Sequence, residues 1–304
     1  MNTIIIDGMS FALPLFIMAI GGIYSERSGV TNLAIEGLQG FGAFVGALFV
    51  VLTSGTQGTN SQSVFYLSFL FAALGGMAYA LLHALLCVKF KANQVISGVV
   101  VNILAMALTA FLTKQINKSV FGAPSDKFQL GVSTRFSVPG LSDIPVLGAF
   151  FTNLYPFEII IIVVAVIAWF LLYKTRFGLH LRACGDNPHA VDAAGRNVGQ
   201  IRTVAVLFSG AFSGIGGMCF AYSISANFSD NIYVGYGYLA IAALIFGFAR
   251  SAGYQLVQIL EKPSSYSDLV MILPYLLTLL LLIFFSKYNH SPRALGEIYD
   301  KGKR

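Results

Sequence analysis

Charge is scarce in this sequence. Only 11% of its 304 residues are Asp, Glu, Lys or Arg, where soluble globular domains carry about 25%. A chain this poor in charge is not built to face water on all sides. Catalytic signatures are lacking as well: there is no GxxxxGK[ST] nucleotide loop, no HExxH, no CxxC pair and no GxSxG. The histidines (His83, His180, His189, His290) show no ligand spacing. The cysteines (Cys87, Cys184, Cys219) are scattered without metal or redox spacing, which excludes a disulfide framework. No catalytic or metal constellation can be assembled for an intramembrane hydrolase or oxidase, so enzyme chemistry in this chain is not expected. The opening stretch MNTIIIDGMS has no Lys or Arg ahead of the first apolar run, which argues for a retained span over a cleaved signal peptide.

What is present is apolar length. Hydrophobic residues make up 56% and the mean hydropathy is +0.75. Long apolar stretches lie near 9–24, 34–53, 65–88, 94–113, 156–173, 202–223 and 268–286. A membrane span needs about 20 such residues. The expected fold is an all-α polytopic membrane protein of about seven transmembrane helices, forming one permease-like domain over 1–304. Between the spans, 54–63 is uncharged and turn-rich, 89–93 is short and basic, and 114–155 is a long polar connection. A polar block fills 174–201, and 287–304 is a basic tail.

The net charge of +6 does not point to nucleic acid, because the basic residues sit in short loops and at the tail. With the N-terminus outside, the inner loops hold Arg27, Lys89, Lys91, Lys174, Arg176, Arg182, Arg196, Arg202, Lys287, Arg293, Lys301, Lys303 and Arg304. Lys114, Lys118, Lys127, Arg135, Arg250 and Lys262 then fall outside. The positive-inside bias favours this orientation, N-terminus out and C-terminus in. It holds only if YGYLAIAALIFGFARSAGYQLV (236–257) does not cross. Its apolar run is interrupted by Arg250, and the expectation is a re-entrant segment entering from the outer side, where protein or a water-filled cavity surrounds the backbone. A short tilted span is the alternative.

Polar residues within spans are costly and need partners. SGVTNLAIEGLQGFGAF (28–44) places Asn32 and Glu36 on one helical face. KANQVISGVVVNILA (91–105) does the same for Asn93 with Ser97 and for Gly98 with Asn102. Each group either fastens helices together or lines a polar path, and the sequence leaves both open. In FSGAFSGIGGMCFA (208–221), Ser209, Ser213 and Gly217, and separately Gly210 and Gly214, recur at four-residue spacing. That is the small-residue pattern of close helix packing.

The block RACGDNPHAVDAAGRNVGQIR (182–202) contains a short helix. Asp186 or Asn187 serves as N-cap, Pro188 takes the first helical position and Gly195 closes the end. A capped helix in a loop, bearing alanines and little bulk, suits docking into another protein's groove. A basic anchoring loop would explain the charges but not the caps.

These residues resemble a known family. GDNPHAVDAAGRNV, with RFGLHLRA just before it, is similar to the cytoplasmic coupling segment of ABC-importer permeases of the branched-chain amino acid, ribose and nucleoside type. GGIYSERSGVTNLAIEGLQGFGAF is similar to that family's early NLG-E-G signature. KANQVISGVVVNILA and the tail SPRALGEIY resemble two further family segments. The order of the matches is the family's, and they span most of the chain. The departure is at 236–257, where about one span's worth of residues is missing before ILPYLLTLLLL (272–282).

The resemblance implies a permease subunit in the bacterial inner membrane, passing a small neutral polar solute. A nucleoside is favoured over riboflavin or a simple sugar. It implies an ABC ATPase that holds ATP and Mg, with no cofactor in this chain. It also implies a second, non-identical permease subunit and an extracytoplasmic substrate-binding lipoprotein meeting the outer loop 114–155. Arg182, Gly185, Asp186, Asn187, Pro188, Ala190, Gly195 and Arg196 become ATPase-coupling candidates. Asn32, Glu36, Asn93, Ser97 and Asn102 become pathway candidates. The rival class, an ATP-independent secondary transporter or channel, would show inverted repeats or a coupling-ion site. No repeat is visible, and Glu36 is the one convincing carboxylate within a span.

Overall fold

The computed structural model describes residues 2–55, 58, 61–122, 125–131, 135–140, 142, 148, 151–229, 232, 234–248 and 291–300. Six apolar helices long enough to cross a bilayer occur among them, and the chain is an all-α polytopic membrane protein. In order they are α1 (Asn2–Arg27), α2 (Ile35–Ser54), α3 (Gln62–Ala84), α4 (Gln94–Phe121), α5 (Pro156–Lys174) and α8 (Val198–Phe220). Two short helices, α6 (Arg176–Asp186) and α7 (Pro188–Ala193), join α5 to α8. A 13-residue helix, α9 (Tyr236–Phe248), follows. Wide π turns extend α3 through Lys89 and α8 through Ser225. These six spans coincide with the first six apolar runs; the run at 268–286 lies outside the described residues.

Helix α8 is the hub. Of its span 78% is buried, against 28% for α4. The small-residue pattern explains this. A Cβ on Gly214 would come within 2.2 Å of Ala72 O, on Gly210 within 2.4 Å of Gly76 O, and on Gly217 within 2.2 Å of Gln39 O. The backbones of α2, α3 and α8 therefore touch where only glycine fits, and dispersion contacts replace the hydrophobic drive that lipid cannot supply. Conversely α4 and α5 turn Ile96, Val100, Ile103, Phe111, Ile162, Val166 and Phe170 outward, the apolar exterior that a bilayer solvates.

The structure adds to the sequence reading at three places. The connection 114–155 begins later than its polarity suggests, because α4 runs on to Phe121 and is closed by Gly122 with φ 69°; Lys114, Gln115 and Lys118 are good helix formers that tolerate an interfacial turn. Beside the helices lies one small sheet, β1 (Lys127–Gln129) paired antiparallel with β2 (Asn227–Ser229). Its Phe128 and Phe228 are buried against Phe44. Finally, 176–186 is helical although no long apolar run marks it. Of the re-entrant reading, 236–248 is helical, and 249–257 lies outside the described residues.

Candidate functional site: the basic end and the break before α2

The turn after α1, the α3–α4 connection, the α5–α8 connection and the segment 291–300 all meet at one end of the bundle. Thr31 N–H donates to Gln94 Oε1 at 2.6 Å, Ala294 N–H to Gly185 O at 2.8 Å, and Gly296 N–H to Gly29 O at 3.1 Å. Lys91 pairs with Asp300 at 3.0 Å. The loops assigned by charge to one side of the membrane are thus gathered at one face, which we call the basic end.

At this end Thr175 caps α6, its Oγ1 accepting from Gly178 N–H at 3.2 Å. Helix α6 buries Gly178, Leu181, Cys184 and Gly185. Asn187 then breaks the chain direction and caps α7, its Oδ1 accepting from Ala190 N–H at 3.0 Å with Pro188 in the first turn. Gly195, at φ 75°, turns the chain toward α8. His189, Ala190, Ala193 and Ala194 are exposed, while Pro188 and Val191 pack inward.

The coupling candidates divide accordingly. Asp186, Asn187, Ala190, Gly195 and Arg196 lie on the exposed side. Arg182 is half-buried, stacked over the Tyr173 ring at 5.2 Å. Gly185 is inside: a Cβ there would meet Arg27 O at 2.3 Å and Pro292 Cβ at 3.1 Å, so it seats α6 on the end of α1. Burial pushes the Cys184 thiol above its ordinary value, opposed by the nearby Arg202 guanidinium. Burial, followed by the Asp192 carboxylate, raises the Tyr299 hydroxyl.

Deeper in the bundle the chain is broken between α1 and α2, and the pathway candidates gather round the break. Asn32 is 1% exposed; its Nδ2 donates to Ser209 Oγ at 2.8 Å and its Oδ1 accepts from Ala34 N–H at 3.0 Å. Helix α2 has no cap of its own at Ala34. Asn102 of α4 supplies one: Oδ1 accepts from Gly37 N–H at 2.8 Å, and Nδ2 donates to Leu33 O at 2.8 Å. It also reaches Tyr238 Oη at 3.4 Å. Glu36 does the same for α9, its Oε1 accepting from Gly235 N–H at 3.1 Å with the Tyr238 N–H also facing the carboxylate. A carboxylate at a helix N-terminus is favoured by the helix dipole. Ser97 bonds buried His83 Nδ1 at 2.9 Å. Asn93 caps α4 through Val95 and Ile96 N–H and is exposed. Asn32, Glu36 and Asn102 are therefore brought together, Ser97 lies beside them through His83 and Thr31 O, and Asn93 stands apart at the helix end.

Residues 4–285 match the family described as the branched-chain amino acid transport system permease component. The chain belongs to this permease family. Its relatives include the guanosine ABC transporter permease protein NupQ of Bacillus subtilis, 38% identical over 97% of this chain and 95% of that protein. The nucleoside ABC transporter permease protein NupC of Lactococcus lactis is 36% identical over 100% of this chain and 98% of its own. The putative glucose ABC transporter permease protein TsgC13 of Haloferax volcanii is 31% identical over 77% and 67%. No solved structure matches the chain.

Such permeases are transport subunits and not enzymes. Among the described residues no group of His, Cys, Asp and Glu could hold a metal ion. Sequence reasoning missed Ser209, Gln94, His83 and Tyr238 as partners of the permease's polar break. It counted Arg202 only as a loop charge. The usable signal was the early helix start: Asn197, capping Gln200 N–H, sets α8 going before Arg202 and so carries that arginine into the bundle.

Proposed function

We propose that this chain is the membrane permease of a bacterial ABC importer for nucleosides, oriented with its N-terminus outside and the basic end in the cytoplasm. The observation that carries this is similarity along the whole chain to guanosine and nucleoside permeases. The capped helix α7 stands exposed at the end richest in Lys and Arg, where an ATPase would meet it. ATP and Mg belong to that ATPase. A second, non-identical permease completes the passage, and a substrate-binding lipoprotein delivers solute from the opposite end, at the polar connection that precedes α5.

In this reading ATP binding closes the ATPase, α7 moves with it, and the helices alternate between two packings that open the cavity to one face and then the other. The break before α2, with Asn32, Glu36, Ser97 and Asn102 around it, is where polar groups reach into the bundle.

The test is uptake by the chain reconstituted with its ATPase, partner permease and binding protein in proteoliposomes. ATP-dependent accumulation of labelled guanosine or uridine, competed by other nucleosides and not by glucose, is the expected result. Uptake that proceeds without ATP would sink the importer reading. ATP-driven uptake of glucose alone would move the chain to the sugar branch.

A further inference from the structure

Three segments far apart in sequence meet on one side chain. Arg202, in the second turn of α8, is 3% exposed. Its Nε donates to Ser28 O at 3.2 Å, in the turn that ends α1. Its Nη1 donates to Glu297 O at 2.9 Å, in the strap 291–300. Gly29 has φ 91° and a Cβ there would fall 2.7 Å from Nη2, so the guanidinium packs directly against the turn's backbone. The strap is tied twice just ahead of this point, to Gly185 O through Ala294 N–H and to Gly29 O through Gly296 N–H. Beyond it Tyr299 sets its ring 5.3 Å from His189 of α7. With Asp192, Gly195 and Arg196 it walls a cleft of about 270 Å³.

A route from the surface helix to the break follows from these contacts. Val191 of α7 packs with Cys184 and Val198 in one buried cluster. Val198 and Arg202 are four apart on α8, hence on one face. Arg202 holds the turn at Ser28, and four residues on from Ser28 stands Asn32, bonded back to Ser209 of the same α8. A buried guanidinium held by carbonyls is costly to strip of its partners, so turn, strap and α8 move as one body.

We propose that Arg202 is the positioning residue that carries displacement of α7 to the break before α2, with the strap 291–300 as its second arm. This rests on the reading of α7 as the ATPase-docking helix. The strap's hydrogen bonds run inward to α6 and the turn, and its Tyr299 ring carries the contact on to His189 of the docking helix.

The test uses the full complex in proteoliposomes, carrying wild-type chain, Arg202→Ala, Arg202→Lys, or a chain ending at residue 290. Three quantities are read: membrane insertion, co-purification of the ATPase, and labelled nucleoside moved per ATP hydrolysed. Arg202→Ala and the truncation are expected to keep the ATPase bound while solute per ATP falls by about tenfold, the scale of one lost charge-assisted hydrogen bond. Arg202→Lys, which keeps the charge and one bond, should recover part of the loss. Should Arg202→Ala fail to insert, the truncation still decides. An unchanged ratio in either variant, or Arg202→Lys no better than Arg202→Ala, overturns the proposal. So does loss of the bound ATPase on truncation, which would make the strap part of the docking surface. A wild-type complex that binds no ATPase would defeat the reading of α7 itself, a separate result.

Discussion

Replacing Asn102 with alanine separates the two roles open to a polar group inside a span. In the structure Asn102 is a fastener: it accepts from Gly37 N–H and donates to Leu33 O, each at 2.8 Å. Alanine would leave both backbone groups unpaired at the start of α2. An unsatisfied buried group costs about 1–3 kcal/mol. Since Asn102 is only partly buried, the lower end applies, and the pair sums to about 2 kcal/mol. In chains of 150–250 residues 1 kcal/mol shifts Tm by about 2–4 °C, so a fall on the order of 5 °C is expected for the purified permease in mild detergent, followed by size exclusion after heating. In uptake assays the maximal rate should fall while KM for nucleoside stays unchanged, because the solute loses no contact. Asn102→Asp keeps the acceptor and loses the donor to Leu33 O, and should lie between the two. An Asn102→Ala chain with unchanged Tm and a raised KM would refute the reasoning and make Asn102 a solute ligand.

Other expectations follow from the same geometry. Ala190→Trp, on the exposed side of α7, should abolish ATPase co-purification with insertion intact, and Asn187→Ala should weaken it through a lost cap worth about 1 kcal/mol, whereas Asn187→Asp should not. Gly214→Ala sets a Cβ 2.2 Å from Ala72 O; such overpacking costs about 1–3 kcal/mol, read as earlier thermal aggregation. The Cys184 thiol, raised by burial, stays protonated in the folded chain at pH values where a free thiol has ionised. Maleimide should therefore spare it in membranes as pH rises through the free-thiol range and label it once the chain is unfolded.

Much of the architecture was readable because lipid imposes length and polarity on every span. Hence the first six apolar runs became helices, and the four-residue spacing of Ser209, Gly210, Ser213, Gly214 and Gly217 became the contact face of α8. The cap at Asn187, Pro188 in the first turn and the left-handed Gly195 were legible for a local reason: each obeys a rule that acts within one turn of helix. Boundaries were less legible where polar but helix-forming residues extend a span, as at Lys114–Phe121. The β1–β2 pairing was not legible, since its three-residue strands are a hundred residues apart and carry no period of their own.

The polar residues show why a site inside a membrane is harder to read than its fold. Asn32, Glu36 and Asn102 were recognisable as costly, but their cost is settled by groups the sequence does not place beside them. Each satisfies a backbone N–H that a break has left open: Asn32 at Ala34, Asn102 at Gly37, Glu36 at Gly235. A broken helix in lipid must find such donors and acceptors, so the break and its polar partners imply one another even where neither predicts the geometry. The same logic reaches Arg202, whose charge is tolerated inside because two open carbonyls, at Ser28 and Glu297, meet it. If the packing of α1 against α2 changes during transport, these bonds must be remade at the break. The residues that cap it are then the ones whose loss should slow alternation before it weakens solute binding.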